Sequence, residues 1–369
     1  MTRLSEQGNA SHHFQLQRLG VVMEPEPGKP MEVEGVLNPG SARSRDGQLY
    51  LFPRLVARGN YSRIGIARVR FNEAGDPAGV ERLAIALEPE ADYELRPDGG
   101  GCEDPRITFI EPLQRFVMTY TALSSRGPRI ALAVSEDLFH WKRAGLATFQ
   151  PYEGVDFNDV DNKDALFFPV AIPNPDGLPA MALIHRPLFP GTCPDEKLRC
   201  RSPRVVDMLR ESIWISYNSL AKKCCDNHLC QHLCHFDSHR RLATPIADWE
   251  QLKIGGGTPP ILTPNGWLFL YHGVCEALRK PNSAGELSYS AGLLMLDEKH
   301  PDLIRYRSPQ PVLTPETPKE REGIVPNVVF PTAIDRRDDI GLPRRFDVYY
   351  GMADKRIGVA RLDLPGDPL

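Results

Sequence analysis

No stretch of the 369-residue chain approaches the roughly 18 consecutive apolar residues that a membrane-spanning helix requires. The opening MTRLSEQGNASHHFQLQRLG also lacks the unbroken apolar core of a secretory signal. Neither sign of charge is in excess. Forty-four basic against 48 acidic residues leave a net charge of −4, so neither nucleic acid nor an anionic membrane is an expected partner. A disulfide framework is missing too: of the eight cysteines, Cys224, Cys225, Cys230 and Cys234 crowd into one segment and the rest are scattered. Free thiols in a reducing cytoplasm are the expectation. Long helices are excluded by proline, which at 35 residues is roughly twice its usual share. What remains is a globular chain, 41% hydrophobic and 25% charged, with a sizeable core.

A short β-rich phrase recurs along it: Arg63-Ile-Gly-Ile-Ala-Arg, Arg129-Ile-Ala-Leu-Ala-Val, Ser212-Ile-Trp-Ile-Ser-Tyr, Ser290-Ala-Gly-Leu-Leu-Met and Arg356-Ile-Gly-Val-Ala-Arg. Their second residues, at 64, 130, 213, 291 and 357, are 66, 83, 78 and 66 apart. Ahead of each lies another apolar-alternating segment, several of them introduced by turn residues such as Arg45-Asp-Gly, Pro175-Asp-Gly and Pro264-Asn-Gly. Five copies of a multi-strand unit predict an all-β fold, a five-bladed β-propeller with long inter-strand loops. Residues 1–30 are expected to precede it as an extension, and 31–369 to form one catalytic propeller.

A polar register precedes each hairpin: Asn38-Pro-Gly, Glu103-Asp-Pro-Arg, Asn162-Lys-Asp-Ala, Gly257-Thr-Pro-Pro and Pro326-Asn-Val-Val-Phe-Pro. The first strand of each propeller blade lines the central channel, so these segments are expected to converge at one axial mouth.

Those segments, with His185-Arg-Pro, Lys253-Ile-Gly-Gly-Gly-Thr-Pro-Pro, Tyr271-His-Gly-Val and Tyr349-Tyr-Gly-Met-Ala-Asp, resemble the β-mannoside phosphorylases of glycoside hydrolase family 130. The resemblance runs in order from about Asn38 to the C-terminus. It implies cleavage of a β-mannoside by inorganic phosphate, with inversion, to give α-mannose 1-phosphate. The substrate would be of the β-1,4-mannosyl-glucose, mannosyl-N-acetylglucosamine or manno-oligosaccharide type. Asp104 matches the family's acid. Arg129, Lys163 and His185 match its phosphate ligands, with Arg126, Arg186 and Tyr350 as additions. Asn38, Arg54, Arg63, Arg106, Asp164 and Asp354 match residues around the mannosyl unit. A phosphorylase needs one acid plus cations and donors for a dianion, whereas an inverting hydrolase needs a second carboxylate to activate water. Asp161, Asp164, Glu322 and Asp354 keep the hydrolase alternative open, and a purely carbohydrate-binding propeller is the other.

The segment at about 221–235 departs from the family as a cysteine- and histidine-rich insertion. Cys225, Cys230, Cys234 and His228 are the candidates should it hold zinc, but their spacing matches no standard zinc signature. The expectation is no metal and no cofactor, phosphate being the co-substrate. Self-association is left open.

Overall fold

The computed structural model describes residues 14, 16–152, 156–189, 211–219, 232–276 and 286–365. Its strands fall into antiparallel groups of four. Blade one runs Gly35–Arg43, Leu49–Ala57, Tyr61–Phe71 and Pro77–Leu87. Blade two is Gly100–Ile110, Arg115–Ser124, Gly127–Ser135 and Lys142–Leu146. Blade three is Asp161–Phe167, Pro179–Leu188, Ile213–Asn218 and Ser238–Ala243. Blade four is Lys253–Gly256, Gly266–Glu276, Leu287–Leu296 and Ile304–Arg307. Blade five takes Val329–Arg337, Leu342–Met352 and Arg356–Asp363, and its fourth strand is Gln17–Met23 from the other end of the chain.

That last pairing corrects the expected domain boundary. Gln17 opposes Arg361 and Met23 opposes Ile357, so this segment belongs to the propeller rather than to an extension ending at residue 30. A polar-faced edge strand carries no repeat phrase, which is why the sequence concealed it.

The predicted repeat lands in register. Ile64, Ile130, Ile213, Ala291 and Ile357 all lie on the third strand of their blades. The glycines of three foretold turns, Gly47, Gly177 and Gly266, have φ of 85°, 77° and 111°, the left-handed backbone that favours glycine.

Among the described residues no sheet closes on itself, yet the ring closes through its cores. One apolar cluster joins blades one and two (Phe52, Ile64, Ile107, Met118). Others join two to three (Val117, Leu132, Phe167, Leu183) and three to four (Leu166, Ile184, Phe269, Leu294). The next joins four to five (Leu270, Leu293, Val348, Leu362), and a fifth joins five back to one (Tyr349, Val359, Val36, Leu51). The second strands are therefore sandwiched on both faces. Met181, Ala182, Leu183 and Ile184 are all buried, a continuous apolar run instead of the expected alternation. Truncating one such leucine to alanine costs about 2–5 kcal/mol.

A polar lock recurs within the blades. Just before the inner strand of blade two, Glu94 accepts a hydrogen bond from Tyr120 at 2.5 Å and from Arg143 at 2.9 Å. Glu250, Tyr271 and Arg307 repeat it in blade four. Glu320, Tyr350 and Arg18 repeat it in blade five. Each carboxylate also accepts two backbone N–H groups of its own turn, so a buried charge is fully paired. The lock ties the inner, second and outer strands of one blade together.

Candidate active site

Three inner strands carry a bulge at the same height, between Leu37 and Gly40, Glu103 and Arg106, and Lys163 and Leu166. Within them Asn38, Asp104 and Asp164 have φ of 43°, 47° and 56°. Asn and Asp tolerate this left-handed backbone better than other residues, and a bulge re-aims the side chain it carries. Asp354 (φ 50°) sits beside Ala353 (φ 48°) in the tight turn entering blade five's third strand.

Blades five, one and two thereby gather carboxylates. Asp104 Oδ1 accepts a 2.9 Å hydrogen bond from Asn38 Nδ2 and lies 3.3 Å from Arg54 Nη1. Arg54 also donates to Glu103 at 2.6 Å, Ser62 at 2.9 Å and Asn60 at 3.0 Å, so its guanidinium is fixed from four directions. Enclosure pushes the Asp354 carboxyl up to about 6; Asp104 and Glu103 push it the same way, against Arg54 and Lys163. Burial raises Glu103 as well.

Blades three and four gather cations. A cavity of about 80 Å³ is lined by Pro128, Asp161, Lys163, Arg186, Leu188, Glu211 and Lys253, and the lining Asp161 pairs with Arg129 at 3.2 Å. One water needs roughly 10–15 Å³, so this space admits a small anion. Burial and the neighbouring Arg186 and Lys163 charges bring the Lys253 ammonium down to about 8. Lys163 links the two halves, since it lines this cavity and its charge also acts on Glu103 and Asp354.

Beneath the cavity lies Asp164, 2% exposed, with Arg186 Nε donating to it at 2.6 Å, Arg106 3.9 Å away and His272 Nε2 3.8 Å away. Burial opposes its charge, but Arg186, His272 and Arg106 hold its carboxyl well below the usual range. A Cβ on Gly255 would lie 2.3 Å from Asp164 and 2.8 Å from Arg186, so only glycine lets these side chains occupy that floor.

Of the expected mannosyl ligands, Asn38, Arg54 and Asp354 gather around Asp104. Arg106 is buried and braces the loops, donating to the carbonyls of Asp104 at 2.6 Å and Gly257 at 2.9 Å. Asp164 is a floor residue saturated by cations rather than an open sugar ligand. Arg63 pairs with Glu88 at 2.8 Å and covers the Tyr61 ring, with no bond to the Asp104 cluster.

Two expected phosphate ligands are corrected. His185 is fully buried, its Nδ1 3.0 Å from Asn162 and its Nε2 2.7 Å from Ser216, and Phe149 stacks on its ring. Burial holds that imidazole neutral. Tyr350 donates to Glu320 inside the blade-five lock. In the first case the next residue, Arg186, lines the cavity instead. Side chains alternate across a strand, so where His185 points into its blade, Arg186 points to the axis. Lys253, Glu211, Glu103 and His272 were not assigned from sequence. A lysine opening an inner strand of the polar register was the available signal for Lys253. In the cysteine- and histidine-rich segment, Cys225, His228 and Cys230 fall outside the described residues, while Cys234 is buried with its Sγ toward the Gly145 carbonyl. Among the described residues no group of three or more metal-binding side chains forms.

The site therefore sets enclosed carboxylates beside a small cation-lined cavity on a five-bladed propeller. The family model described as beta-1,4-mannooligosaccharide phosphorylase matches residues 16–365, and the chain belongs to that family, glycoside hydrolase 130. It is 30% identical over 326 residues to a 1,2-beta-oligomannan phosphorylase of Thermoanaerobacter sp. (strain X514), covering 86% of this chain and 87% of that protein. Its fold matches a Listeria innocua beta-1,2-mannobiose phosphorylase with a TM-score of 0.67, at 21% identity, over 94% of this chain and 96% of that one. It matches equally a structure described with the mannoside phosphorylase family as containing glycoside hydrolases that target beta-1,2 mannosidic linkages in Candida mannan. There the TM-score is 0.67 at 21% identity, over 100% of this chain and 98% of that one.

Proposed function

We propose that this protein is an inverting β-mannoside phosphorylase. The observation that carries the reading is the cavity shared by Lys163, Arg186 and Lys253 beside the Asp104 cluster. A dianion entering an enclosed site loses hydration, and only nearby cations and oriented donors compensate. A water nucleophile would need none of them. In the step proposed, a phosphate oxygen forms a bond to the anomeric carbon as the bond from that carbon to the leaving sugar oxygen breaks. Asp104 supplies the proton that the leaving oxygen takes up, and α-mannose 1-phosphate results. Asn38 and Arg54 fix the Asp104 carboxyl, so its placement costs no reorganisation during reaction.

Hydrolysis is the second reading, favoured by one observation: Asp161 and Glu211 are carboxylates in the cavity itself. Each is already paired with an arginine, Asp161 with Arg129 and Glu211 with Arg186, so neither stands free to position a water. The experiment is incubation with β-1,2- and β-1,4-linked mannobiose, with and without inorganic phosphate. Phosphate-dependent release of mannose 1-phosphate from either is expected, and the preferred linkage is read from the same assay. Equal cleavage without phosphate, yielding free mannose, overturns the reading.

A further inference from the structure

We propose that Glu211 is a built-in counter-ion of the cavity: it holds the Arg186 guanidinium when the cavity is empty, and phosphate displaces it. This rests on the cavity being the phosphate seat. Arg186 is gripped by two carboxylates that differ in kind. Asp164 is 2% exposed, takes the Nε donor at 2.6 Å, and is itself surrounded by Arg106 and His272. Enclosed in this way, it holds the inner edge of the guanidinium in place. Glu211 pairs with Nη1 from the cavity wall, and its side chain is 17% exposed, so it has a route outward. It occupies the outer end of the fork that a phosphate oxygen would use.

Charge counting points the same way. Lys163, Arg186 and Lys253 give the cavity lining three formal positive charges, and Asp161 and Glu211 give it two negative ones. An incoming dianion therefore meets a nearly balanced site. With Glu211 turned out toward solvent, repulsion falls and one arginine fork opens. The carboxylate thus weakens phosphate binding, and in the empty state it prevents a desolvated arginine from standing unpaired. Asp161 does the same for Arg129 in a milder form, since its side chain is 40% exposed and screened by water.

Calorimetric titration of inorganic phosphate into the full-length protein tests this. Glu211→Gln is expected to bind phosphate about 3–10-fold more tightly than wild type, Asp161→Asn less than about 3-fold more tightly, and Asp164→Asn more weakly. The KM for mannoside should stay within about 2-fold in Glu211→Gln. Should that variant fold poorly, Glu211→Ala gives the same reading. If wild type binds phosphate while both Glu211 variants bind it equally or more weakly, the counter-ion role is overturned. If wild type binds no phosphate, the phosphate seat itself is overturned, and this role with it.

Discussion

The two halves of the axial site are built from the same residue types in opposite proportions. On the side of blades five, one and two, Glu103, Asp104 and Asp354 share one arginine, Arg54. On the side of blades three and four, Lys163, Arg186 and Lys253 face carboxylates that are each already paired. In the first half crowded negative charge and enclosure push Asp354 up to about 6; in the second, crowded positive charge and burial bring Lys253 down to about 8. Each half makes its own kind of charge costly and so welcomes the opposite change, protonation on one side and anion entry on the other. Lys163 is where the two halves meet, since its charge reaches Glu103 and Asp354 from the cavity wall.

Removing the acid breaks the first half with the largest effect. Asp104→Asn keeps the bulge backbone, since Asn also tolerates φ of 47°, but it has no proton to give. Turnover with β-mannoside and phosphate should fall about 10²–10⁴-fold, with the melting temperature little changed. Unaltered turnover in a folded Asp104→Asn protein would remove Asp104 from the mechanism. Breaking the second half should show in phosphate alone. Lys163→Met is expected to raise the KM for phosphate roughly 10–100-fold while changing that for mannoside only about 2–3-fold. A parallel rise in both constants would mean that Lys163 serves the sugar instead.

How far the sequence disclosed this contrast follows from what a linear pattern can carry. The blades were legible because each third strand repeats a phrase, and Ile64, Ile130, Ile213, Ala291 and Ile357 sit at equivalent places. Asn38, Asp104 and Asp354 were singled out by resemblance to the family, and the structure gathers all three, each in left-handed backbone. The cation cluster was half hidden. Parity within a strand is set by burial, and blades buried on both faces erase the alternation that would have separated His185 from Arg186. The Glu–Tyr–Arg locks were invisible for another reason. Arg18 and Glu320 are 302 positions apart and meet only because the first strand completes the last blade.

The Lys253 ammonium sharpens the comparison with a pH dependence that runs in two directions. Above about pH 8 the native lysine loses its proton while an unfolded one keeps it to about 10.5. Within that window the unfolded state binds more protons, so this group makes the unliganded protein more stable as pH rises. Phosphate binding changes in the opposite sense, since the cavity loses a positive charge over the same range. The KM for phosphate should therefore rise severalfold between pH 7.5 and 9.5 in wild type. In Lys253→Arg, whose guanidinium stays charged, that rise should flatten. Identical profiles in the two proteins would place the titrating group elsewhere.

The smallest expected effect separates the lock from the site. Tyr350 lies one residue from an axial position but spends its hydroxyl on Glu320, which Arg18 and two backbone N–H groups also hold. Burial and the Glu320 charge raise the phenol well above its ordinary range, so it stays a donor at any pH the enzyme meets. Tyr350→Phe removes one hydrogen bond from a carboxylate that keeps three partners. It should cost about 1–2 kcal/mol of stability, measured by denaturant unfolding, and leave the phosphate KM within about 2-fold. The KM is the deciding number. If Tyr350→Phe raised it as Lys163→Met does, the hydroxyl would have to reach the cavity, and the parity that sends Tyr350 into its blade could not be right.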